Sequence, residues 1–462
     1  MNAADSDRQL QALIVAMQCQ RKFKERQRPG PQGLQGLQGL QAALLQHAAR
    51  TVPHFAYVHE GAAHALAAFE PVRRQDIASN RKRFLSRQFA PRDWVDERTT
   101  SGTSGSPLSV VRDGASFYSF IYHTYARVFE RIPELAGCAR AGADAVLIVN
   151  DNPQRDEQIF INPSLDYARI RRIILGRGPE QDQAALAAAV QAACPLLYGR
   201  PRSLVRLAEL HHQLRDAAAP PGPGRLAPRA ILCSGDNLYR NDRMLLEQVF
   251  GAPVYNAYGS QEGGLIAMEC PRHDHMHVLG DAARVEVLVD GCDEPQAEGY
   301  GELVVTSLEN WALPFIRYRS GDVGTLVTGA CSCGYAGTSI AALDGRDSVY
   351  FSVDGKRFNP SVLNPVFEGL PIRQFQVVQD RSGALRVSWI AGAQADPAAT
   401  EAALRQALHS AVGALPVRIE QVDIIGAPGQ KAQRYMLLQA HSTEHATPSS
   451  LAASSSKGRM PA

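Results

Sequence analysis

The clearest alternation of apolar and polar segments lies in residues 229–262 and predicts a strand, a helix and a second strand. RAILCSG and APVYNAYG are short apolar runs, and NDRMLLEQVF between them has helical periodicity. This order favours a parallel strand pair, and parallel sheets bind ligands beyond the carboxyl ends of their strands. Two polar loops are therefore expected at one edge: Ser234, Gly235, Asp236, Asn256, Ala257, Tyr258, Gly259, Ser260, Gln261 and Glu262.

Similar patterns elsewhere predict an α/β fold. Helices are expected at AALLQHAAR, AAHALAAF, Ala115–Glu130, AALAAAVQAACPLLYG and SLVRLAELHHQLRDAA, and strands at ADAVLIVND, ARVEVLVD, GELVVTSL and around RYRSGDVGTLV. The aromatic side chains of Ala115–Glu130 suit core packing for the most part. One face of that helix could instead floor an apolar substrate pocket.

The pattern changes after Gly345-Arg346. Strand QFQVVQ, turn DRSG, strand LRVSWI, helix AATEAALRQALHSAV and strand VRIEQVDII predict a small α+β domain of about 95 residues. We therefore expect a flexible lead-in at residues 1–40, a large N-terminal domain with mixed sheets and helices at 41–345, a small mobile C-terminal domain at 346–440 and a disordered tail at 441–462.

Composition narrows the function classes. The formal charge is +2 and 20% of residues are charged, so no strong field indicates nucleic acid or anionic membrane as a partner. We find no apolar run of the roughly 18 residues that a membrane span needs, and no signal-peptide pattern. We expect a cytoplasmic protein, and a homodimer is compatible with this composition.

Five scattered cysteines are expected to be reduced and inert: Cys19, Cys138, Cys194, Cys233 and Cys292.

The run TTSGTSGSPLSV, Thr99 to Val110, is a candidate phosphate-binding loop. Its glycines allow close backbone approach and its hydroxyls can donate to phosphate oxygens. The run lacks the GK[ST] ending of a P-loop, and by composition alone a run of Ser, Thr and Gly is more often a solvated linker than a ligand site. The residues expected to contact phosphate are Ser101, Gly102, Thr103, Ser104 and Gly105.

Five motifs occur in the order found in adenylate-forming enzymes. TSGTSGSPL resembles the phosphate loop of that superfamily, YGSQEGG its adenine and magnesium loop, IRYRSGD its ribose loop, LDGRDS its interdomain hinge and GAPGQKAQRY its catalytic-lysine segment. The resemblance covers roughly residues 40–440 and is strongest to the branch that contains phenylacetate-CoA ligase and CapK-like capsule-biosynthesis proteins.

The resemblance assigns a role to single residues. It implies that Tyr258 stacks on adenine, Glu262 holds Mg²⁺ against the ATP phosphates and Asp322 binds the ribose hydroxyls. It also implies that Arg346 contacts phosphate near the hinge and that Lys431 neutralises the α-phosphate in the transition state. Considered alone, these residues also fit structural roles, such as a core tyrosine, a turn cap or a surface ion pair.

The implied reaction is ATP-dependent activation of a carboxylic acid through an acyl-adenylate, followed by transfer to a thiol, with CoA as the expected co-substrate. One alternative acceptor is the phosphopantetheine of a carrier protein, and another is an amine. A second alternative is a non-catalytic nucleotide-binding protein of the same fold. The joint presence of Tyr258, Glu262, Asp322, Arg346 and Lys431 argues against it.

A separate group of residues suits a structural zinc ion. Cys270, His277, Cys331 and Cys333 could supply three thiolates and an imidazole to a tetrahedral site. Their spacing differs from a standard pair of CxxC motifs, so free thiols are the alternative. A zinc ion here would join two loops and would take no part in the chemistry.

Overall fold

The computed structural model describes residues 31–99, 108–217, 224–346, 351–353, 356–358, 360–392, 395–413, 416–423, 425 and 435–437. The described helices are α1 (Pro31–Thr51), α2 (Arg74–Ser79), α3 (Arg81–Phe84), α4 (Gly114–Tyr118), α5 (Thr124–Arg131), α6 (Pro179–Ala192), α7 (Pro201–Ala217), α8 (Arg240–Phe250), α9 (Asn364–Glu368) and α10 (Pro397–Val412). A π-helical turn, Ser119–His123, joins α4 to α5. None of the described helices is both long and apolar enough to span a membrane.

The described strands are β1 (Trp94–Thr99), β2 (Ser109–Asp113), β3 (Asp144–Asn150), β4 (Gln158–Asn162), β5 (Ala168–Ile174), β6 (Leu196–Gly199), β7 (Ala230–Ser234), β8 (Val254–Ser260), β9 (Gly264–Glu269), β10 (Met276–Val278), β11 (Ala283–Val289), β12 (Gly299–Ser307), β13 (Tyr318–Ala330), β14 (Ala336–Arg346), β15 (Phe351–Val353), β16 (Lys356–Phe358), β17 (Ile372–Gln379), β18 (Leu385–Ala391), β19 (Val417–Gln421) and β20 (Tyr435–Leu437).

One mixed sheet organises the described part of residues 108–346. Its twelve strands follow the order β11-β12-β13-β14-β10-β9-β8-β7-β6-β3-β5-β4. The segment from β5 to β8 is parallel, and the pairs from β8 to β11 are antiparallel. Leu186, Leu204 and Phe250 pack a helix layer on one face of this sheet, and Tyr125 and Val128 pack another layer on the opposite face. The mixed α/β fold predicted from the sequence is confirmed.

The predicted strand–helix–strand unit is present as β7, α8 and β8. The two strands are parallel, with Ile231 opposite Val254 and Ser234 opposite Ala257. Gly251 caps helix α8 after Phe250, and its φ of 67° is the left-handed conformation that glycine adopts at little cost. The carboxyl ends of β7 and β8 therefore bring the two predicted polar loops together.

Three predictions about local structure need correction. AAHALAAF forms turns and a short 3₁₀ helix, Leu66–Ala68, where we expected a helix. AALAAAVQAACPLLYG is not a single helix, because α6 ends at Ala192 and the buried strand β6 follows Pro195. Residues 31–40, which we placed in the lead-in, are the first turns of α1, whereas residues 1–30 lie outside the described part.

The C-terminal residues form a second sheet with its own core. Its four strands follow the order β19-β18-β17-β20, and Trp389, Phe375 and Leu404 are buried between this sheet and its helices. The sheet contacts helix α8 of the larger unit, because Asn241 Nδ2 donates to the carbonyl oxygens of Leu370 at 3.0 Å and Ile372 at 3.2 Å.

Candidate active site

Tyr258 and Asp322 meet at the end of strand β8. The Tyr258 hydroxyl donates a hydrogen bond of 2.8 Å to Asp322 Oδ2. Burial and the adjacent carboxylate raise the pKa of Tyr258 well above its ordinary value, so the hydroxyl stays protonated and acts as a donor. Asp322 pairs with Arg346 in the register of β13 and β14. The fold thus brings together the residues predicted to bind adenine and ribose.

Glu262 lies buried four residues after Tyr258. Arg74 Nη1, from helix α2, is 2.9 Å from Glu262 Oε1. The Tyr318 hydroxyl donates to the same oxygen over 3.3 Å. The predicted magnesium carboxylate therefore has a cationic partner in this structure. Arg74 was missed by the sequence analysis, and no motif around it would have identified it.

The turn between β8 and β9 depends on glycine. A Cβ on Gly259 would stand 2.7 Å from the carbonyl oxygen of Gly264, so a larger residue would push the two strands apart. Ser260 Oγ accepts a hydrogen bond of 2.8 Å from the Gly263 N–H and thereby closes the turn. This rigid turn fixes the carboxylate of Glu262 relative to the ring of Tyr258.

The remaining predicted residues of this edge lie beside that turn. Ala257 is buried within β8, and the Asn256 N–H donates to Glu269 Oε2 over 2.9 Å. Strand β7 ends at Ser234, and Gly235, with a φ of 86°, and Asp236 form the bend that follows. Their backbones border the same edge as Tyr258, which is the place where a nucleotide could lie.

Arg112 connects the hairpin of β1 and β2 to the turn between β8 and β9, which follows Tyr258. Its Nη1 donates to Asp96 Oδ2 over 2.9 Å, and its Nη2 donates to the carbonyl oxygen of Gln261. The guanidinium lies 3.7 Å from the centre of the Phe120 ring. This hairpin flanks the predicted phosphate loop, so Arg112 fixes the strand that follows that loop. The sequence analysis missed Arg112 because an isolated arginine in a strand carries no motif.

Several predicted site residues cannot be placed. Ser101, Gly102, Thr103, Ser104, Gly105 and Lys431 lie outside the described residues. Of Arg346, only the backbone at the end of β14 is described. Their proposed contacts stay predictions.

The four predicted zinc ligands converge at one end of the sheet. The ligand atoms of Cys270, His277, Cys331 and Cys333 all lie within 4.8 Å of one another. The Sγ atoms of Cys270 and Cys331 are 3.8 Å apart, and Cys333 Sγ is 3.5 Å from His277 Nε2. A tetrahedron with Zn–S bonds of about 2.3 Å has sulfur–sulfur edges of about 3.8 Å, so these spacings fit zinc.

Two hairpins supply these ligands. Cys270 follows β9 and His277 lies on β10, whereas Cys331 and Cys333 lie between β13 and β14. Gly334 closes the second turn with a φ of 91°, and its N–H donates to the Cys331 carbonyl over 2.9 Å. An ion here would hold together the two hairpins whose strands also carry Gly264 and Asp322.

Comparisons with known proteins give a sequence relative and similar solved structures. No family model matches the chain. A stretch of 149 residues is 30% identical to phenylacetate-coenzyme A ligase of Thermus thermophilus, and the match covers 31% of this chain and 34% of that protein. The matched segment thus spans about a third of that relative's length.

Solved structures match over more of the chain. A 2-hydroxyisobutyryl-CoA ligase in the postadenylation state, in complex with R3-HIB-AMP, superposes with a TM-score of 0.68 at 17% identity, over 88% of this chain and 90% of that one. The anthranilate CoA ligase AuaEII, in complex with anthranoyl-AMP, gives 0.52 at 14% identity, over 75% and 66%. The chain therefore has the fold of the adenylate-forming enzymes, and a stretch of 149 residues resembles a phenylacetate-coenzyme A ligase.

Proposed function

We propose that the protein uses ATP to convert a carboxylic acid into an acyl-adenylate and then transfers the acyl group to CoA. The observation that carries this proposal is the meeting of Tyr258, Asp322 and Glu262 at the carboxyl edge of the sheet. Solved structures of the 2-hydroxyisobutyryl-CoA ligase contain 2-HIB-AMP together with CoA, which supports both half-reactions. A cytoplasmic location, where ATP and CoA are available, belongs to the same proposal.

The nucleotide would lie across the ends of β7 and β8. The Tyr258 ring offers a flat face to adenine, and Asp322 can accept hydrogen bonds from ribose hydroxyls. The backbone groups of residues 234–236 and 259–261 border the same edge. The carboxylate of the acid attacks the α-phosphate and pyrophosphate leaves, a reaction that positioning and charge neutralisation can promote without a covalent protein nucleophile.

Glu262 fits a magnesium ion because its buried carboxylate is the hard oxygen ligand that this cation prefers. When bound, Mg²⁺ supplies positive charge next to the phosphates. Arg74 holds the same carboxylate in the described structure, 2.9 Å from Oε1. We propose that Arg74 neutralises the charge of Glu262 before a cation binds.

The C-terminal part of the chain would complete the site. We place the boundary between a large N-terminal domain and a small mobile domain at 345–346, with the hinge at Arg346–Asp347. Residues 101–105 would hold the phosphates, and Lys431 would neutralise the α-phosphate during adenylation. The contacts of Asn241 with Leu370 and Ile372 join the two sheets in the described arrangement.

We also propose a structural zinc ion bound by Cys270, His277, Cys331 and Cys333. The closeness of the four ligand atoms supports this assignment, since all lie within 4.8 Å of one another and two pairs have the separation of tetrahedral zinc ligands. The ion would hold the β9–β10 and β13–β14 hairpins together. It would take no part in acyl transfer.

The test of the proposed function is pyrophosphate–ATP exchange with a pool of carboxylic acids. Exchange that depends on an added acid is expected, and no exchange with any acid would favour a non-catalytic nucleotide-binding protein. CoA, a phosphopantetheinylated carrier protein and a simple amine are then supplied separately with the activating acid. Product with CoA alone supports the ligase, whereas product with another acceptor would replace CoA in the proposal.

A further inference from the structure

Glu309 is a buried carboxylate that the proposed nucleotide site does not use. It lies just after β12, and its side chain is 8% exposed. One of its oxygens, Oε1, accepts a hydrogen bond of 2.6 Å from Ser119 Oγ and is 2.7 Å from Arg127 Nη2. Arg127 also donates to Asp281 Oδ2 over 2.7 Å. These contacts account for the burial of one carboxylate oxygen.

The second oxygen, Oε2, is in a different situation. It is buried, and it accepts no hydrogen bond from any residue in the described part of the chain. A Cβ built on Gly264 would stand 3.2 Å from this oxygen and 3.9 Å from Cδ2 of Phe120. No third described atom beyond Gly264's chain neighbours lies within 4 Å of that point. Oε2 therefore lies beside the Cα of Gly264 and near the Phe120 ring, at a point where a side chain on residue 264 would touch it.

An acceptor without a donor is costly to bury, and a carboxylate oxygen is among the costliest. The hydrogen bond from Ser119 and the ion pair with Arg127 are made at Oε1, and they leave Oε2 without a donor among the described residues. Ligand pockets place a few such polar atoms among apolar walls, where they determine which ligand is accepted. Phe120 supplies an apolar wall next to Oε2.

Oε2 lies near the place where the carboxylic acid substrate must bind. Gly264 lies two residues after Glu262 and begins β9, just after the turn that follows Tyr258 and β8. Phe120 lies beneath Arg112, which binds the Gln261 carbonyl in the same turn. An acid that attacks the α-phosphate of ATP must approach this turn. Its acyl portion would then extend toward Phe120 and Glu309.

We propose that Glu309 determines substrate specificity by accepting, at Oε2, a hydrogen bond from a hydroxyl or amino group on the acyl portion of the acid. The substrate class is a hydroxy- or amino-substituted carboxylic acid with an apolar body that packs against Phe120. This inference rests on the proposed function, since it concerns the acid that is activated.

The test uses matched acids in the pyrophosphate–ATP exchange reaction of the full chain. Benzoate and phenylacetate are compared with their hydroxyl, amino and methoxy derivatives at each ring position. A site built to bind a donor rejects analogues that lack it strongly, so the hydroxyl or amino member of at least one set should exceed its methoxy and unsubstituted partners in kcat/KM by about 100-fold. This comparison needs no variant and is independent of any folding defect.

Glu309→Gln then tests the residue itself. The glutamine oxygen can still accept from Ser119 and Arg127, whereas its amide NH₂ replaces Oε2 and donates. The preference for donor-bearing acids, measured as the ratio of their kcat/KM to that of the unsubstituted acid, should fall at least about ten-fold. Glu420→Gln, whose carboxylate accepts from Ser388 in the C-terminal sheet, is the matched control and should retain the preference.

The outcomes separate this inference from the proposed function. Acid-dependent exchange with no preference for donor-bearing acids, or with a preference that Glu309→Gln leaves unchanged, overturns the role of Glu309 and leaves the ligase assignment standing. Absence of exchange with every acid overturns the ligase assignment, and the specificity role with it.

Discussion

The hydroxyl of Tyr258 and Oδ2 of Asp322 are 2.8 Å apart, although the two residues are separated by 64 positions in the chain. This hydrogen bond joins strand β8, at the end of the parallel part of the sheet, to strand β13 in its antiparallel part. It orients the Asp322 carboxylate next to the Tyr258 ring. A nucleoside could therefore contact an aromatic face and a ribose-binding acceptor at once.

The first prediction concerns the sugar of the nucleotide. Asp322→Asn should lower kcat/KM for ATP by about 100-fold, because a charged acceptor of hydroxyl donors is lost. It should also reduce the discrimination between ATP and 2′-deoxy-ATP, measured by pyrophosphate exchange. Tyr258→Phe keeps the ring and loses one hydrogen bond, so KM for ATP should rise only about three- to ten-fold.

A control lies on the same strand. The Tyr255 hydroxyl donates to Glu134 over 2.9 Å, away from Asp322. Tyr255→Phe should leave KM for ATP unchanged. Full retention of the preference for ATP over 2′-deoxy-ATP in Asp322→Asn would contradict the ribose assignment.

The second prediction concerns Mg²⁺ and the ion pair of Arg74 with Glu262. Glu262→Gln should slow pyrophosphate exchange by about 100-fold and raise the Mg²⁺ concentration needed for half-maximal rate. Arg74→Met should lower that concentration, because it removes the cation that competes for the same carboxylate. A titration of exchange rate against Mg²⁺ measures both effects.

Arg405→Met provides the matched control, since Arg405 pairs with Glu401 on the exposed surface of α10. Its Mg²⁺ dependence should equal that of wild type. An unchanged Mg²⁺ midpoint in Glu262→Gln would exclude Glu262 as the ligand.

The third prediction concerns zinc. Protein purified without a His-tag should contain one equivalent of zinc, and Cys331→Ser should lose the metal and melt several degrees lower. Cys292→Ser removes an exposed thiol outside the ligand set and should change neither quantity. Less than about half an equivalent of zinc in the wild-type protein would remove the assignment.

The sequence predicted those parts of the fold in which the residue types favour one structure or one kind of site. The strand–helix–strand unit was predictable because β7 and β8 are apolar runs that end in glycine-containing loops. The convergence of Cys270, His277, Cys331 and Cys333 was predictable because three cysteines and a histidine in two nearby segments suit one tetrahedral ligand set. Strand β6 was missed because it is only four residues long, starts four residues after the last residue of α6 and is too buried to show alternation.

Long-range partners of single charged residues could not be predicted. Arg74 and Glu262 are 188 positions apart, Arg112 and Gln261 are 149 apart, and Ser119 and Glu309 are 190 apart. An isolated arginine or glutamate has the same appearance in a sequence whether it is solvated or buried. These residues acquire a role only in the folded protein. There, β2, the π-helical turn and the segment after β12 pack around the turn between β8 and β9.

The fourth prediction concerns acid stability. Arg127, together with Arg131, lowers the pKa of the buried Asp281 carboxyl from 3.8 to about 2, against the opposing effect of burial. A carboxyl whose pKa is lowered by folding stabilises the native state above its unfolded pKa, and this stabilisation is lost as pH falls from about 4 to about 2. Asp281→Asn should therefore cost about 2 kcal/mol in free energy of unfolding at pH 7.

Urea unfolding at several pH values measures this effect. The difference between wild type and Asp281→Asn should shrink as pH falls below about 4, because the wild-type carboxyl then takes up a proton. Asp290→Asn, at an exposed position, should match wild type throughout. A difference that stays constant from pH 7 to pH 3 would indicate that the variant acts through packing and not through charge.

The fifth prediction separates the two half-reactions. Lys431→Ala should slow acyl-adenylate formation at least about 100-fold, since a positive charge near the α-phosphate stabilises the transition state of that step alone. Thioester formation from supplied acyl-adenylate and CoA should stay largely intact. Lys82→Ala, an exposed lysine in α3, is the control and should affect neither step. Equal loss of both steps in Lys431→Ala would mean that this lysine serves the fold or both conformations of the enzyme. That result would contradict the proposal that the small domain supplies Lys431 for adenylation only.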